Sequence, residues 1–347
     1  MTIFPDCPIP IDEYPRVLLA HGGGGRLTQN LIDRMLLPSF DNPLLSPLHD
    51  GALLTIGDQR LALTTDSYVV QPPFFPGGDI GRLAVFGTSN DLAMCGARPL
   101  YLTCGLIIEE GLPMETLWRV VVSMRQAADE AGVQIVTGDS KVVERGKGDG
   151  VFINTAGIGV VLPGLEVGAQ RVRPGDEIVL SGPLGQHGIA IMALREGLSL
   201  DTTVESDTAP VFPLVAALAE EGIDIHMLRD PTRGGVSSSL NEIAKKSAAG
   251  IVIEEERLPV GPEVQGVCEI LGLDPLYVAN EGSFLAFVPA GVGERAAEIL
   301  RRYPLGKEAA VIGRAVSEHA GSVIMRTRIG GERIVDVMSG EQLPRIC

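Results

Sequence analysis

The sequence predicts a two-domain protein of mixed α/β and α+β architecture, with mixed sheets flanked by helices. Its 347 residues are enough for two domains of ordinary size, each with its own core, although one domain of this length is also admissible. Hydrophobic residues make up 45% of the chain and aromatics only 4%, beside 43 glycines, so the core must be built from Ala, Val, Leu and Ile in stacked layers. Strand-like and helix-like periodicities alternate along the chain, and the turn sequence Arg173-Pro174-Gly175-Asp176 interrupts them near the middle.

Residues 1–44 read as an N-terminal extension and glycine-rich arm, containing His21-Gly22-Gly23-Gly24-Gly25-Arg26 and a short apolar helix near 31–37. A first domain over 45–165 opens with strands at 52–56 and 60–65, joined by the turn pair Gly57-Asp58 into a hairpin. A helix is expected over 79–97, with Ile80, Leu83, Ala84 and Gly87 on one face, then a buried strand over 100–108. Pro113 suits the first position of the next helix, whose apolar residues Leu117, Val121, Met124, Ala128 and Ala131 recur four and three apart until Gly132 stops it. Strands at 133–136 and 151–161 complete this domain. A second domain over 166–338 is expected to hold strands at 177–180, 283–288 and around 251, 310 and 323. Its helices fall near 190, over 209–221, from 236 and over 294–302. Residues 339–347 read as a flexible tail carrying Cys347.

The formal net charge of -16 argues against nucleic acid and anionic membranes as partners, because no basic cluster offsets it. An anionic substrate would need metal ions or glycine-rich backbone to hold it. The N-terminus lacks the features of a signal peptide and no apolar run reaches membrane-spanning length. The five cysteines, Cys7, Cys95, Cys104, Cys268 and Cys347, are scattered and never form a C-x-x-C pair, which predicts a reduced, cytoplasmic protein.

Several aspartates stand where strands or turns are expected to end: His49-Asp50-Gly51, Thr65-Asp66-Ser67, Asn90-Asp91-Leu92, Gly138-Asp139-Ser140-Lys141 and Asp230-Pro231-Thr232-Arg233-Gly234-Gly235. Each alone reads as a turn or helix cap. Together they suit Mg²⁺, a hard cation that takes oxygen ligands and bridges phosphate oxygens. The Gly22 to Gly25 run offers backbone N–H groups but lacks the ending of a P-loop. The Asp230 phrase leads into a helix whose N-terminus is a natural anion site, and Lys141 is placed to pair with a phosphate.

These phrases resemble the superfamily of ATP-binding enzymes that includes aminoimidazole ribonucleotide synthetase and selenophosphate synthetase. Within it, Thr65-Asp66-Ser67-Tyr68-Val69-Val70, Phe74-Phe75-Pro76-Gly77-Gly78-Asp79, Thr137-Gly138-Asp139-Ser140-Lys141, Ala279-Asn280-Glu281-Gly282 and the terminal Pro344-Arg345-Ile346-Cys347 resemble the HypE family. Those proteins are carbamoyl dehydratases of [NiFe]-hydrogenase maturation. The resemblance runs from about His21 to Cys347.

It implies a PurM-like (aminoimidazole ribonucleotide synthetase-like) fold, ATP and Mg²⁺ as cofactors, a homodimer, and HypF and a HypC–HypD complex as partners. It further implies that Cys347 carries a carboxamide that is dehydrated to a thiocyanate. By similarity Asp50, Asp66, Asp91 and Asp230 would hold the metal. Gly22, Gly23, Gly24, Gly25, Asp66, Asp91, Asp139, Asp230, Thr232 and Gly234 would hold the nucleotide, Lys141 would neutralise the transferred phosphoryl group, and Glu281 is the candidate base. Two other readings stay open here: an enzyme acting on a free small molecule, and a nucleotide-binding scaffold without turnover.

Overall fold

The protein is described by a computed structural model over residues 15–198, 204–338 and 345–347. The start of the expected extension, with Cys7, and the tail from 339 to 344, with Pro344, lie outside the described residues. Among the described residues no helix is long and apolar enough to cross a membrane.

The arm winds into short helical turns, α1 (Arg26–Leu31) and α2 (Leu37–Phe40). The hairpin follows as expected. Strands β1 (Ala52–Ile56) and β2 (Gln59–Tyr68) pair antiparallel with Ile56 opposite Gln59 across Gly57-Asp58. A small ribbon of β3 (Phe74–Phe75) and β4 (Gly78–Asp79) leads into α3 (Ile80–Met94). Asp79 caps α3 by accepting from the N–H groups of Gly81 and Arg82, at 2.7 and 3.1 Å. The helix ends earlier than position 97, because Gly96 at φ +69° turns the chain and Ala97 already opens β5 (Ala97–Glu109). Helix α4 (Met114–Ala131) stops at Gly132 in the left-handed conformation. Strands β6 (Gln134–Val143) and β7 (Val151–Val161) complete a sheet of order β1-β2-β7-β5-β6, in which only β5 and β6 run parallel.

β6 departs from the expectation of a strand ending near 136. Asp139 and Lys141 lie inside the strand rather than in a turn, because parallel pairing with β5 carries the ladder on to Val143. Gly138 permits this: a Cβ there would sit 2.3 Å from the Cys104 carbonyl oxygen. Backbone pairing here outweighs the turn propensity of Gly-Asp-Ser.

The second sheet has order β14-β13-β10-β12-β8-β11-β9. Its strands are β8 (Glu177–Leu180), β9 (Met227–Arg229), β10 (Gly250–Glu254), β11 (Leu285–Val288), β12 (Ala310–Val316), β13 (Val323–Arg326) and β14 (Glu332–Ile334). Around it lie α5 (Gln186–Arg195), α6 (Phe212–Glu220), α7 (Gly235–Ser247), α8 (Pro262–Leu271) and α9 (Gly293–Leu300). Helix α6 starts after 209 because Asn90 fixes the preceding segment: its Oδ1 accepts from Val211 N–H at 2.9 Å and its Nδ2 donates to the Ala209 carbonyl at 3.0 Å. The short strands β9 and β14 and helix α8 were not legible in the local pattern.

Helix α3 is buried on nearly every side, which explains its uniformly apolar and small composition. One end of it, Ala93 and Met94, packs with Leu214, Leu218 and Phe284 of the second domain. The two sheets are therefore joined through a shared core rather than by a linker alone. Asp91 rides on this helix into the seam between them.

Candidate active site

Three elements deliver carboxylates to that seam. Asp50 lies on the segment before β1, Asp91 near the end of α3, and Asp230 just after β9. One carboxylate oxygen from each lies within 4.8 Å of the others. Burial first, then repulsion from Asp230, Asp50 and Asp66, pushes the Asp91 carboxyl well above the usual range. Asp230 is raised likewise by burial and by Asp50, while Asp50 is raised by burial against the pull of Arg229, whose guanidinium is 2.7 Å away. Asp50 Oδ2 is buried with no hydrogen-bond partner among the described residues. Three mutually repelling carboxylates, one with a buried and unpartnered oxygen, form an oxygen donor set that fits a hard divalent cation.

The expected phosphate-binding parts meet beside them. The N-terminus of α7 has Gly234 as its cap, at φ +79°, so beyond Gly235 N–H, which the Thr232 carbonyl takes, the first-turn N–H groups have no capping side chain to satisfy them. The glycine arm lies directly on this loop. Gly24 adopts φ +76°, its carbonyl accepts from the Ser238 hydroxyl at 3.3 Å, and a Cβ there would stand 2.9 Å from the Arg233 carbonyl oxygen. Arg233 Nη1 in turn donates to the Gly22 carbonyl at 3.4 Å. Thr232 contributes its carbonyl, which accepts from Gly235 N–H at 2.9 Å.

Cys347 comes to the same place. The tail was expected to be flexible, yet its last three residues are docked: Val69 N–H donates to the Cys347 carbonyl and Gln71 N–H to that of Arg345, both at 3.2 Å. Ile346 and Cys347 pack among Val70, Phe75, Ile191 and Ala279. Burial drives the Cys347 thiol well up from its ordinary pKa; Arg233 opposes this, while Glu281, Asp66 and Asp230 add to it. Glu281 is itself buried and its carboxyl is raised by burial, then by Asp230, Asp207 and Asp66. The docked sulfur is thus held as a thiol, and the Glu281 carboxyl that acts on it has a raised proton affinity.

Two family domains match this chain: the N-terminal domain of AIR synthase related proteins over residues 48–161 and the C-terminal domain of the same proteins over 173–326. The carbamoyl dehydratase HypE of Rhodobacter capsulatus is 53% identical over 335 residues, 96% of this chain and 98% of that protein. The chain belongs to the HypE family. Among solved structures, HypE in complex with ATP matches with a TM-score of 0.81 at 50% identity, covering 96% of this chain and all of that one. A HypE–HypF complex matches with a TM-score of 0.84 at 47% identity, covering 89% and 99%. The expected PurM-like two-domain fold is therefore the fold of this HypE-family chain.

Not every expected residue joins the site. Asp66 is not one of the three clustered carboxylates; it faces Arg233 at 3.9 Å from β2. Lys141 and Asp139 are further removed. Both are exposed, they pair with each other, and they stand on the edge strand β6, three strand spacings or about 14 Å from β2. The register also places them on the opposite face: Asp66 aligns through Thr155 and Cys104 with Gly138, so residues 139 and 141 point to the other side of the sheet. Within one chain these two do not reach the cluster.

The sequence reading passed over several residues that the fold brings in. Arg233 is the cation that acts on the Cys347 thiol, with Cys347 the largest influence on it in turn, and Arg195 donates to the Arg345 carbonyl of the tail. Its place in the Asp230 to Gly235 phrase was the available signal. Thr64, whose hydroxyl is 2.8 Å from Asp91 Oδ2, and Arg229 adjoin quoted motifs in the same way. His187, Ser206 and Asp207 carried no signal, since nothing in local spacing ties them to the carboxyl terminus.

Proposed function

We propose that this protein dehydrates a carboxamide carried on its own Cys347 sulfur to a thiocyanate, consuming ATP and supplying cyanide for the iron of [NiFe] hydrogenase. The observation that supports it most is the burial of Cys347, docked on Val69 and Gln71, where Arg233, Glu281, Asp66 and Asp230 all act electrostatically on its thiol. An enzyme acting on a free small molecule has no use for a buried terminal cysteine there.

The chemistry follows from the groups present. An amide oxygen leaves poorly; transfer of the γ-phosphoryl group of ATP to it turns it into phosphate, which departs with its electron pair as the two nitrogen-bound protons are lost. Glu281, with its raised proton affinity, would take a proton, and Arg233 would offset charge on the phosphorylated oxygen. The backbone N–H groups of Gly23, Gly25 and Gly234 would hold the phosphates, since those of Gly22 and Gly24 are taken by the Leu19 carbonyl and the Thr28 hydroxyl and Thr232 offers a carbonyl that can only accept. Asp50, Asp91 and Asp230 would hold Mg²⁺, which neutralises phosphate charge. Because the docked thiol is un-ionised, its carbamoylation belongs to an undocked state in which Cys347 meets the HypF carbamoyltransferase, and the thiocyanate is handed on to a HypC–HypD complex.

A homodimer formed through the outer face of the first sheet completes the reading. That face exposes the apolar side chains of Leu63, Tyr101 and Ile107, with Ile107 directly opposite Lys141. Asp139 and Lys141 would then act, if they meet the transferred phosphate, from this interface.

The test is to incubate the protein with HypF, carbamoyl phosphate and ATP and follow its intact mass. A carbamoyl adduct that then loses one water, both events abolished in Cys347→Ala, is expected. An adduct on another cysteine, or ATP consumption untouched by Cys347→Ala, overturns the reading. Asp91→Asn is expected to accept the carbamoyl group and then stall with the water retained.

A further inference from the structure

His187 stands in the first turn of α5, directly after Gln186 and the left-handed Gly185, whose N–H donates to Asn280 Oδ1 at 2.7 Å. Its ring is fully buried and meets Phe75 edge-on, with centroids 5.5 Å apart. Both ring nitrogens are engaged. Nε2 lies 2.6 Å from the Ile346 carbonyl oxygen and Nδ1 lies 2.8 Å from Ser206 Oγ. A carbonyl can only accept, so Nε2 carries the hydrogen. Burial lowers the ring's pKa to about 4 and keeps it neutral, which leaves Nδ1 to accept from the Ser206 hydroxyl. Ser206 Oγ in turn lies 2.6 Å from Thr208 Oγ1 and accepts from Thr208 N–H at 3.2 Å. The tautomer is therefore set by a chain of donors that ends on the tail.

The tail is held from two sides. Val69 and Gln71 take the carbonyls of Cys347 and Arg345, the latter also accepting from Arg195, while His187 takes the intervening carbonyl of Ile346. The same loop reaches the candidate base. The Asp207 carboxylate accepts from the N–H groups of Glu281 and Gly282, each at 3.0 Å, and from the backbone of His187. One carboxylate thus fixes the spacing between the residue that grips the tail and the residue proposed to act on its cargo.

We propose that His187 is the positioning residue of this site: its Nε2–H grips the Ile346 carbonyl and holds Cys347 in its buried seat, with Ser206 fixing the required tautomer. This rests on the reading of Cys347 as substrate carrier, but the grip itself is measurable without turnover.

The experiment compares the full chain with His187→Leu, His187→Gln and Ser206→Ala. It reads the rate at which N-ethylmaleimide labels the C-terminal peptide, by mass spectrometry, and the dehydration rate of carbamoylated chains. Losing one buried neutral hydrogen bond is expected to speed Cys347 labelling about tenfold in His187→Leu and to slow dehydration in proportion, with ATP affinity retained. His187→Gln, whose side-chain amide restores an N–H donor, is expected to recover most of both. Labelling at the wild-type rate in a folded His187→Leu, or equal effects of the Leu and Gln variants, overturns the proposal. Should His187→Leu not fold, Ser206→Ala decides: a labelling rate a few-fold above wild type supports it, and an unchanged rate overturns it. Normal grip with no dehydration in the wild type would instead count against the carrier reading alone.

Discussion

Glu281 shows how a single position is set by its surroundings. In water its carboxyl would be ionised at neutral pH; buried beside Asp230, Asp207 and Asp66 it holds its proton well above the ordinary range. A base must be ionised to act, so dehydration per carbamoylated chain should fall as pH decreases, with an acid limb lying above the ordinary carboxylate pKa. Single-turnover mass measurements across pH check this. In Glu281→Gln the limb should vanish and the rate drop by about a hundredfold or more. Stability should move the other way. A carboxyl whose pKa is raised on folding contributes stability at low pH and loses it as pH rises through the folded value, so Glu281→Gln is expected to melt higher than wild type at pH 8. A lower melting temperature there would show that the glutamate is structural.

At the scale of elements, the phosphate cradle depends on two backbones in close approach. The left-handed Gly24 sits against Arg233, and the left-handed Gly234 opens α7, where a Cβ would stand 2.1 Å from Ser238 Oγ. Gly24→Ala adds left-handed strain of about 1–2 kcal/mol and a contact that the arm relieves only by lifting. ATP affinity by calorimetry should fall several-fold with the melting temperature of the two domains little changed, because the arm stands outside both cores. Elements also explain which aspartates mattered. Asp50, Asp91 and Asp230 come from a loop, a helix and a strand end, with Asp91 carried inward because α3 is buried all round. Asp139, in an equally suggestive Gly-Asp-Ser phrase, was drawn into β6 and turned to the far face by strand register.

For the whole molecule, the outer face of the first sheet remains uncovered in a single chain, with Ile107 46% exposed and Tyr101 45%. A charge on it should prevent its burial: Ile107→Asp is expected to sediment as a monomer where the wild type sediments as a dimer. A wild type that is monomeric at micromolar concentration would remove the homodimer from the reading. The net charge of -16 is consistent with a protein whose partners are proteins and Mg-nucleotide rather than nucleic acid.

Much of this was readable in the chain itself, because it depends on short-range rules. Hairpin β1–β2 followed from Gly57-Asp58, α4 from its four-and-three spacing and Gly132, and the carboxylate phrases from residues that must stay polar beside apolar strands. What sequence spacing left open were the facts that depend on which distant segments pack together. Lys141 fell on the wrong face because register along β5, not local preference, decides where a strand residue points. His187 and Ile346 meet across 159 positions, through a burial that neither segment's pattern encodes. The sequence by itself determined the family, the two mixed domains and the set of acidic residues at stake. Only tertiary structure decided which of those carboxylates converge and how the terminal cysteine is held among them, since burial, mutual repulsion and hydrogen-bond closure exist only once both domains and the tail share one core.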